Sequence, residues 1–475
     1  MKKNQIVTLV LLFAFTVTYA QINFTLADPQ PDLIEVYGGS FASGDIDNDG
    51  DQDLFMTGQS PNSALYLNDG NGDFTEVTNT TIPDRTFDSV TEFEDLDGDG
   101  DLDLYFSGSN DGGGIGVFTR IYLNDGIGDF TQLSNPLLPQ FQGTGAAIAD
   151  IDGDGDLDII ISAEDKNNQF VADTYLNDGN ANFTPSGSTA FIPVKWAAVA
   201  FIDVENDGDA DVIIAGVQAN DEKLTRLYLN DGLGSYTVDT NTVFEDLQAD
   251  DIDVADTDND GDLDILMSGQ DPNNVPRTIL YLNDGVGQFT ELTDNNFIQT
   301  FAGANAIADL DNDGDQDILI CGSQAGGLPN IINIVYENLG NNEFEPVQQL
   351  GGEYIAECVI DDFNGDDLSD IIIQGFVDDT NFYWNTSEIL GTSDFINNQT
   401  ITMFPNPAND VVNISSDKEQ LQKIELYSIA GSLIFKTDLN ANTYVLNIAK
   451  YPSGTYLLKV FSQNNDSINT KIIKK

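Results

Sequence analysis

The sequence predicts an all-β chain: a seven-bladed β-propeller of four-stranded blades, followed by a small C-terminal β-sandwich. Three observations carry this. An acidic nonapeptide returns as DIDNDGDQD at Asp45, DLDGDGDLD at Asp95, DIDGDGDLD at Asp150, DVENDGDAD at Asp203, DTDNDGDLD at Asp256, DLDNDGDQD at Asp309 and DFNGDDLSD at Asp362, at start-to-start intervals of 50, 55, 53, 53, 53 and 53 residues. A second landmark, YLNDG and then an FT-like pair, follows at Tyr66, Tyr122, Tyr175, Tyr228 and Tyr281, with a weaker YENLG at Tyr336. No stretch has helical periodicity. A period this long and regular marks stacked copies of one supersecondary unit.

The elements follow in order. Lys2 and Lys3, the apolar run Ile6 to Val17 and the small-residue exit at Ala20 read as a secretory signal peptide over residues 1–20. No later apolar run approaches the roughly 20 residues of a membrane helix, so no transmembrane segment is expected. Within each repeat, small-residue runs such as FASGDI and NAIADL before the acidic loop form a first strand, and apolar runs such as LDLYFSG and LDIIISA after it form a buried second strand. A third strand ends in YLN, and Asn-Asp-Gly turns it into a fourth that begins at FT. Four strands per unit and radial repetition define a propeller over residues 21–390. The seventh unit lacks its FT strand, while an orphan INFT, Ile22 to Thr25, opens the mature chain. That segment is expected to close the ring. After a linker at 391–402, alternating apolar residues and turns at Pro405-Asn406-Pro407, Ala430-Gly431 and Pro452-Ser453-Gly454 predict the sandwich over 403–475.

Carboxylates at positions 1, 3, 5, 7 and 9 of a short loop repel one another unless a hard cation sits among them. Calcium takes six to eight oxygens in a flexible geometry, whereas magnesium keeps a stricter shell and zinc wants His or Cys. The chain has no His. Up to seven Ca2+ are therefore expected, one per blade, with side chains 1, 3, 5 and 9 and the carbonyl of residue 7 as ligands. The candidates are Asp45, Asp47, Asp49, Asp51 and Asp53; Asp95, Asp97, Asp99, Asp101 and Asp103; Asp150, Asp152, Asp154, Asp156 and Asp158; Asp203, Glu205, Asp207, Asp209 and Asp211; Asp256, Asp258, Asp260, Asp262 and Asp264; Asp309, Asp311, Asp313, Asp315 and Asp317; and Asp362, Asn364, Asp366, Leu368 and Asp370. Gly at position 6 supplies a positive φ for the turn. An EF-hand would need a bidentate Glu at position 12, where this chain has Met56, Phe106, Ile161, Ile214, Met267, Ile320 and Ile373. Two loops depart from the pattern: Glu205 adds a methylene at position 3, and Asp367 replaces the position-6 glycine.

Acidic loop, hairpin signal and period together resemble FG-GAP/VCBS repeats, the calcium-binding propeller repeats also found in integrin α-subunits. The resemblance implies metal loops on one face and partner-binding loops on the other, here Glu76 to Val90, Gln132 to Thr144, Pro185 to Trp196 and Asp239 to Ala249. The FPNP opening, Gly454-Thr455-Tyr456 and the basic end Lys471 to Lys475 resemble the C-terminal sorting domain of the type IX secretion system of Bacteroidetes. That implies passage through the periplasm, contact with the secretion machinery, and release from or attachment to the outer cell surface.

Charge narrows the partners. Residues 21–400 hold 74 of the 80 acids and only seven of the 17 Lys and Arg, so nucleic acid and anionic membranes are excluded as direct partners. Cys321 and Cys358 are too few for a disulfide scaffold. Without His, Ser-His-Asp and Cys-His nucleophilic systems are absent. Carboxylate pairs remain available for glycoside hydrolysis, and lyase chemistry needs a cation or Tyr, but Arg85, Arg120, Lys166, Lys195, Lys223, Arg226 and Arg277 share no motif. Tyr37, Phe87, Phe141, Trp196, Phe301 and Tyr354 precede the acidic loops at the structural period, so packing between blades is their expected role, with Trp196 beside Lys195 as candidate ligand-binding residues. The expected function is a secreted or surface-displayed binding module for a glycan, matrix component or surface protein. The alternatives are a polysaccharide-degrading lyase or hydrolase, or an architectural surface component.

Overall fold

The computed structural model describes residues 22–474 except 37, 59–62, 79–81, 83–86, 110–115, 135–137, 166, 294, 326–329, 341, 353–355, 376–379, 388–400, 405–410, 417–419, 429–432, 453 and 463–466. The expected signal peptide, most of the linker, the FPNP segment, Tyr37, Arg85, Lys166 and Tyr354 thus lie outside the described residues. All regular structure among the described residues is β. The chain divides into two units, one of residues 22–310 and 314–387 and a second that includes 388–475.

The first unit contains seven four-stranded antiparallel sheets. The third is representative: Phe141–Ala149, Asp158–Asp165, Phe170–Leu176 and Thr184–Pro185 pair in sequence order. The first strands of successive sheets touch in a closed cycle, from Ser40–Gly44 round to Glu357–Asp361 and back. Seven strands converging on one axis leave little room, hence Ala146, Ala147, Ala198, Ala200, Ala306 and Ala308 there. The second strands are buried on both faces, which explains why position 12 is always apolar: Met56, Phe106 and Ile373 have no exposed surface. Seven apolar clusters fill the seven interfaces between blades; that of blades 2 and 3 joins Leu96, Tyr105 and Ile121 to Phe141, Ile161 and Phe183.

The N-terminal segment closes the ring as expected, with its paired portion shifted slightly. Phe24–Leu26 is the outer strand of the seventh blade, Phe24 opposite Asn385 and Leu26 opposite Tyr383. Ile22 and Phe24 are buried between blades 6 and 7.

Two side chains repeat one hydrogen-bond relay around the whole ring. The position-9 Asp, buried in every blade, accepts the N–H of loop position 2 on one oxygen and the N–H of the YLN asparagine on the other; for Asp158 these are Ile151 at 3.0 Å and Asn177 at 2.7 Å. The asparagine then donates its Nδ2 to the position-2 carbonyl of the preceding blade. Asn124 reaches Ile46, Asn177 reaches Leu96, Asn230 reaches Ile151, Asn283 reaches Val204, Asn338 reaches Thr257 and Asn385 reaches Leu310. Asn68 in blade 1 completes the circle on Phe363 of blade 7 at 2.8 Å. The YLN tyrosines act at the other edge of the same strand: Tyr66, Tyr228, Tyr281, Tyr336 and Tyr383 each accept an N–H from the connection entering their own blade.

The second unit packs a three-stranded sheet, Ile401–Phe404, Val411–Ser416 and Thr443–Asn447, against a four-stranded one. Val412, Ile414 and Leu446 from the first meet Ile424, Leu426, Leu458 and Val460 from the second in one core, the expected sandwich.

Replacing Asn177 by Ala removes a donor from the buried carbonyl of Leu96 and from the partly buried one of Leu157. The expected loss is about 1–3 kcal/mol, read as a lower urea midpoint with an unchanged slope.

Candidate metal centres

Each acidic loop turns through two left-handed residues. Position 4 has positive φ in all seven loops (Asn48, Gly98, Gly153, Asn206, Asn259, Asn312, Gly365), and position 6 does so as well, with Gly50 at 100° and Asp367 at 68°. The expected glycine role at position 6 holds, and Asp367 adopts the same turn at the strain that a Cβ adds there. The alternation of Asn and Gly at position 4 carries the same conformational signal, which the sequence reading passed over.

The turn points the carboxylates inward. Position 1 is fixed from below, since Asp45 accepts the N–H of Asp49 at 3.1 Å and of Gly50 at 3.0 Å, and the Gly N–H contact recurs at Asp95, Asp150, Asp203, Asp256 and Asp309. Oxygens of Asp45, Asp47 and Asp53 lie within 4.8 Å of one another, as do those of Asp150, Asp152 and Asp158. In the second and fifth loops the converging sets are Asp95, Asp97, Asp99 and Asp256, Asp258, Asp260. Position 3 is the telling one: an oxygen of Asp47, Asp152, Asp258 and Asn364 is sealed from solvent with no hydrogen-bond partner.

Such oxygens are costly in isolation. Burial, then the neighbouring Asp49, raises the Asp47 carboxyl above its ordinary range, and Asp152 is raised in the same way with Asp154 as its neighbour. Burial also pushes position 9 up, to about 7 at Asp53 and about 6 at Asp158, against the two N–H groups that each accepts. The donor set is oxygen alone and converges on a point, so the residues fit a hard divalent cation. Positions 1, 3, 5 and 9 would hold it, and the bound ion would supply positive charge that stabilises the loop.

Position 7 does different work with its side chain. Asp51, Asp101, Asp156, Asp209 and Asp262 press their carboxylates on the glycine of their own NDG turn, leaving no space for a Cβ there. Three of the position-7 acids also receive an amide from the preceding blade's position 4: Asn48 to Asp101, Asn206 to Asp262 and Asn259 to Asp315. The carboxylates therefore join blade to blade, which spacing alone did not reveal.

The fourth loop, with Glu205, keeps the position-1 and position-9 contacts of Asp203 and Asp211. In the seventh, Asp362 accepts the N–H of Asp367 at 2.8 Å and Asp370 those of Phe363 and Asn385.

The described cations are dispersed. Lys195 pairs with Glu164 at 3.6 Å, Arg226 with Asp246 at 2.7 Å and Arg277 with Glu245 at 2.6 Å, while Arg120 lies over Phe118 and Lys223 donates to the Asp271 carbonyl. Of the aromatic series, Phe141 is buried between blades, as expected from its period, and Trp196 is 48% exposed. The inner strands bury acids that no motif had marked: burial pushes Glu92 up to about 8 and Asp250 up to about 7, and holds Asp253 and Glu357 well above the ordinary range.

A family model described as FG-GAP-like repeat matches residues 45–106, 95–161, 203–267 and 309–373, more than half of the chain. The chain belongs to the FG-GAP-like repeat family. Residues 402–475 of this FG-GAP-like protein match the secretion system C-terminal sorting domain, which routes it through the type IX system to the cell surface or the medium. Among the described residues no helix is long and apolar enough to cross a membrane. An endo-acting ulvan lyase of Formosa agariphila is 32% identical over 76 residues, 16% of this chain and 15% of the lyase. Ulvan lyase NLR42 of Nonlabens ulvanivorans is 25% identical over 91 residues, 19% and 17% of the two chains. The chain thus spans less than a fifth of the length of these relatives. Among solved structures, PorZ of Porphyromonas gingivalis aligns over 92% of this chain and 51% of its own at 12% identity and a TM-score of 0.34. The Aleuria aurantia lectin aligns over 67% and 96% at 10% identity and a TM-score of 0.40.

Glu92 gives a test by pH. Its carboxyl is held above the ordinary 4.5 by burial first and Glu94 second, so its contribution to stability is complete below the ordinary range and is lost as pH rises through about 8. Glu92→Gln, neutral throughout, should lose less stability than the parent between pH 6 and 9, measured as urea midpoints across that range.

Proposed function

We propose that this FG-GAP-like protein is an exported recognition module whose acidic loops bind Ca2+ and whose opposite face meets a glycan, matrix component or surface protein. The observation that carries the metal reading is the sealed, unpartnered oxygen at Asp47, Asp152, Asp258 and Asn364, repeated at one loop position. A cation satisfies all four with one kind of contact. The recognition reading rests on the division of labour between the two ends of each blade. Acidic loops and NDG turns occupy one end and are engaged in holding blades together, which leaves the hairpins and connections at the other end for a partner. Two of those hairpin tips, residues 167–170 and 218–222, were missed by the sequence reading, which named only the connections.

A second reading, a polysaccharide lyase, draws on the short likeness to the ulvan lyases. The pairing of Lys195, Arg226 and Arg277 with acids counts against it, because lyase chemistry needs a cation free to neutralise a uronate. Release of unsaturated product from uronate polymers with calcium present would favour it.

Removal of calcium with EGTA should lower the melting temperature sharply; a free ion at 100 times its Kd contributes about 2.7 kcal/mol per site. Elemental analysis should show Asp152→Ala losing one ion relative to the parent and Asp156→Ala losing none, because position 7 offers its carbonyl. Unchanged melting in EGTA would refute the metal reading. For recognition, pull-down of glycans and surface proteins by the calcium-loaded chain should capture a partner, and capture of none would refute it.

A further inference from the structure

At the end of the blades opposite the acidic loops, a cleft of about 610 Å3 opens between blades 3 and 4. Asn168 and Phe170 come from one hairpin tip, Gln218 and Asn220 from the next, and Ile192 and Pro193 from the connection between them. Lys195 stands at its edge, its Nζ 5.3 Å from the centre of the Phe170 ring and 4.3 Å from that of Trp196. Phe170, Lys195 and Trp196 therefore form one continuous surface.

Trp196 is out of place by every packing criterion. It sits at a bulge in Lys195–Ile202 with φ of 47° and is 48% exposed. The positions that match it in blades 1 and 6, counted back from the end of the same strand, are Gly38 at 59° and Ala302 at 51°. These two blades fill the left-handed position with the smallest side chains, and the match in blade 5, Ala249, takes no positive φ. A tryptophan adds strain and exposes a large apolar face without burying it, a combination that points to a ligand.

We propose that Trp196 and this cleft bind a neutral saccharide chain, an inference that rests on the recognition reading above. The apolar face of a pyranose suits the exposed indole. Amides offer both a donor and an acceptor to sugar hydroxyls, and those of Asn168 and Gln218 line the cleft. Charge selects against acidic sugars: Glu164 already neutralises Lys195, and in sequence the same two hairpin tips carry Asp165, Asp221 and Glu222 against one cation, Lys166. A uronate or sulfate would meet net negative charge.

The two tryptophans, Trp196 and Trp384, make fluorescence a direct readout, since Trp384 packs on Phe382. The calcium-loaded full chain should be titrated with xylo-, manno-, cello- and laminari-oligosaccharides and, for contrast, oligogalacturonate. At least one neutral series should give a saturable shift, and oligogalacturonate none. By calorimetry, Trp196→Gly should weaken that binding at least tenfold while its melting temperature holds or rises, because glycine adopts this φ without strain; Trp196→Phe should retain part of the affinity. Binding of no neutral series, preference for oligogalacturonate, or unchanged affinity of the Gly variant would each overturn the proposal. Capture of a protein partner with no saccharide bound would sink this inference and leave the recognition reading standing.

Discussion

The structure depends on one buried contact, the position-9 carboxylate that holds the YLN asparagine while the asparagine holds the blade before it. An aspartate in this place satisfies two backbone N–H groups within its own blade, and the asparagine amide spans the gap that apolar packing alone would leave unspecific in direction. Burial of the acid is costly, as its raised pKa at Asp53 and Asp158 shows. Its two hydrogen bonds offset part of that cost, and an ion in the adjoining candidate centre would offset more. Sheet geometry, interface registry and loop shape are thereby set by the same few atoms.

Because loop and relay share the position-9 residue, the candidate metal centres are not appendages of the ring. Asp158 belongs to the converging oxygens with Asp150 and Asp152 and also receives Asn177. An ion there would act on the blade interface through a single carboxylate, whereas the position-7 acids reach the neighbouring blade by a separate route. The acidic face is thus committed to architecture.

Much of this was legible in the residues. The repeat fixed the blade number, the orphan INFT located the closing strand, and apolar residues at position 12 excluded an EF-hand and anticipated the buried second strand. Spacing within one loop could not show contacts made between loops, so the link from Asn48 to Asp101 and the reach of Asn124 to Ile46 became visible only in three dimensions. The inner-strand acids were hidden for the same reason: Asp250 and Glu357 lie far apart in sequence and carry no motif, yet the charge of Asp250 bears on Glu357. Trp196 was noticed as an aromatic, but its strain depends on a bulge that no periodicity predicts.

The asparagine relay has a handedness: every blade gives to the one before it and receives from the one after. Such a head-to-tail contact cannot be satisfied by two blades meeting as mirror partners. An arc short of the full circle would end with an unused amide at one side and a bare carbonyl at the other, and these complementary ends would invite a second chain to dock. Closure through Asn68 and Phe363 removes both ends together, so completing the circle also protects the exported molecule from polymerising.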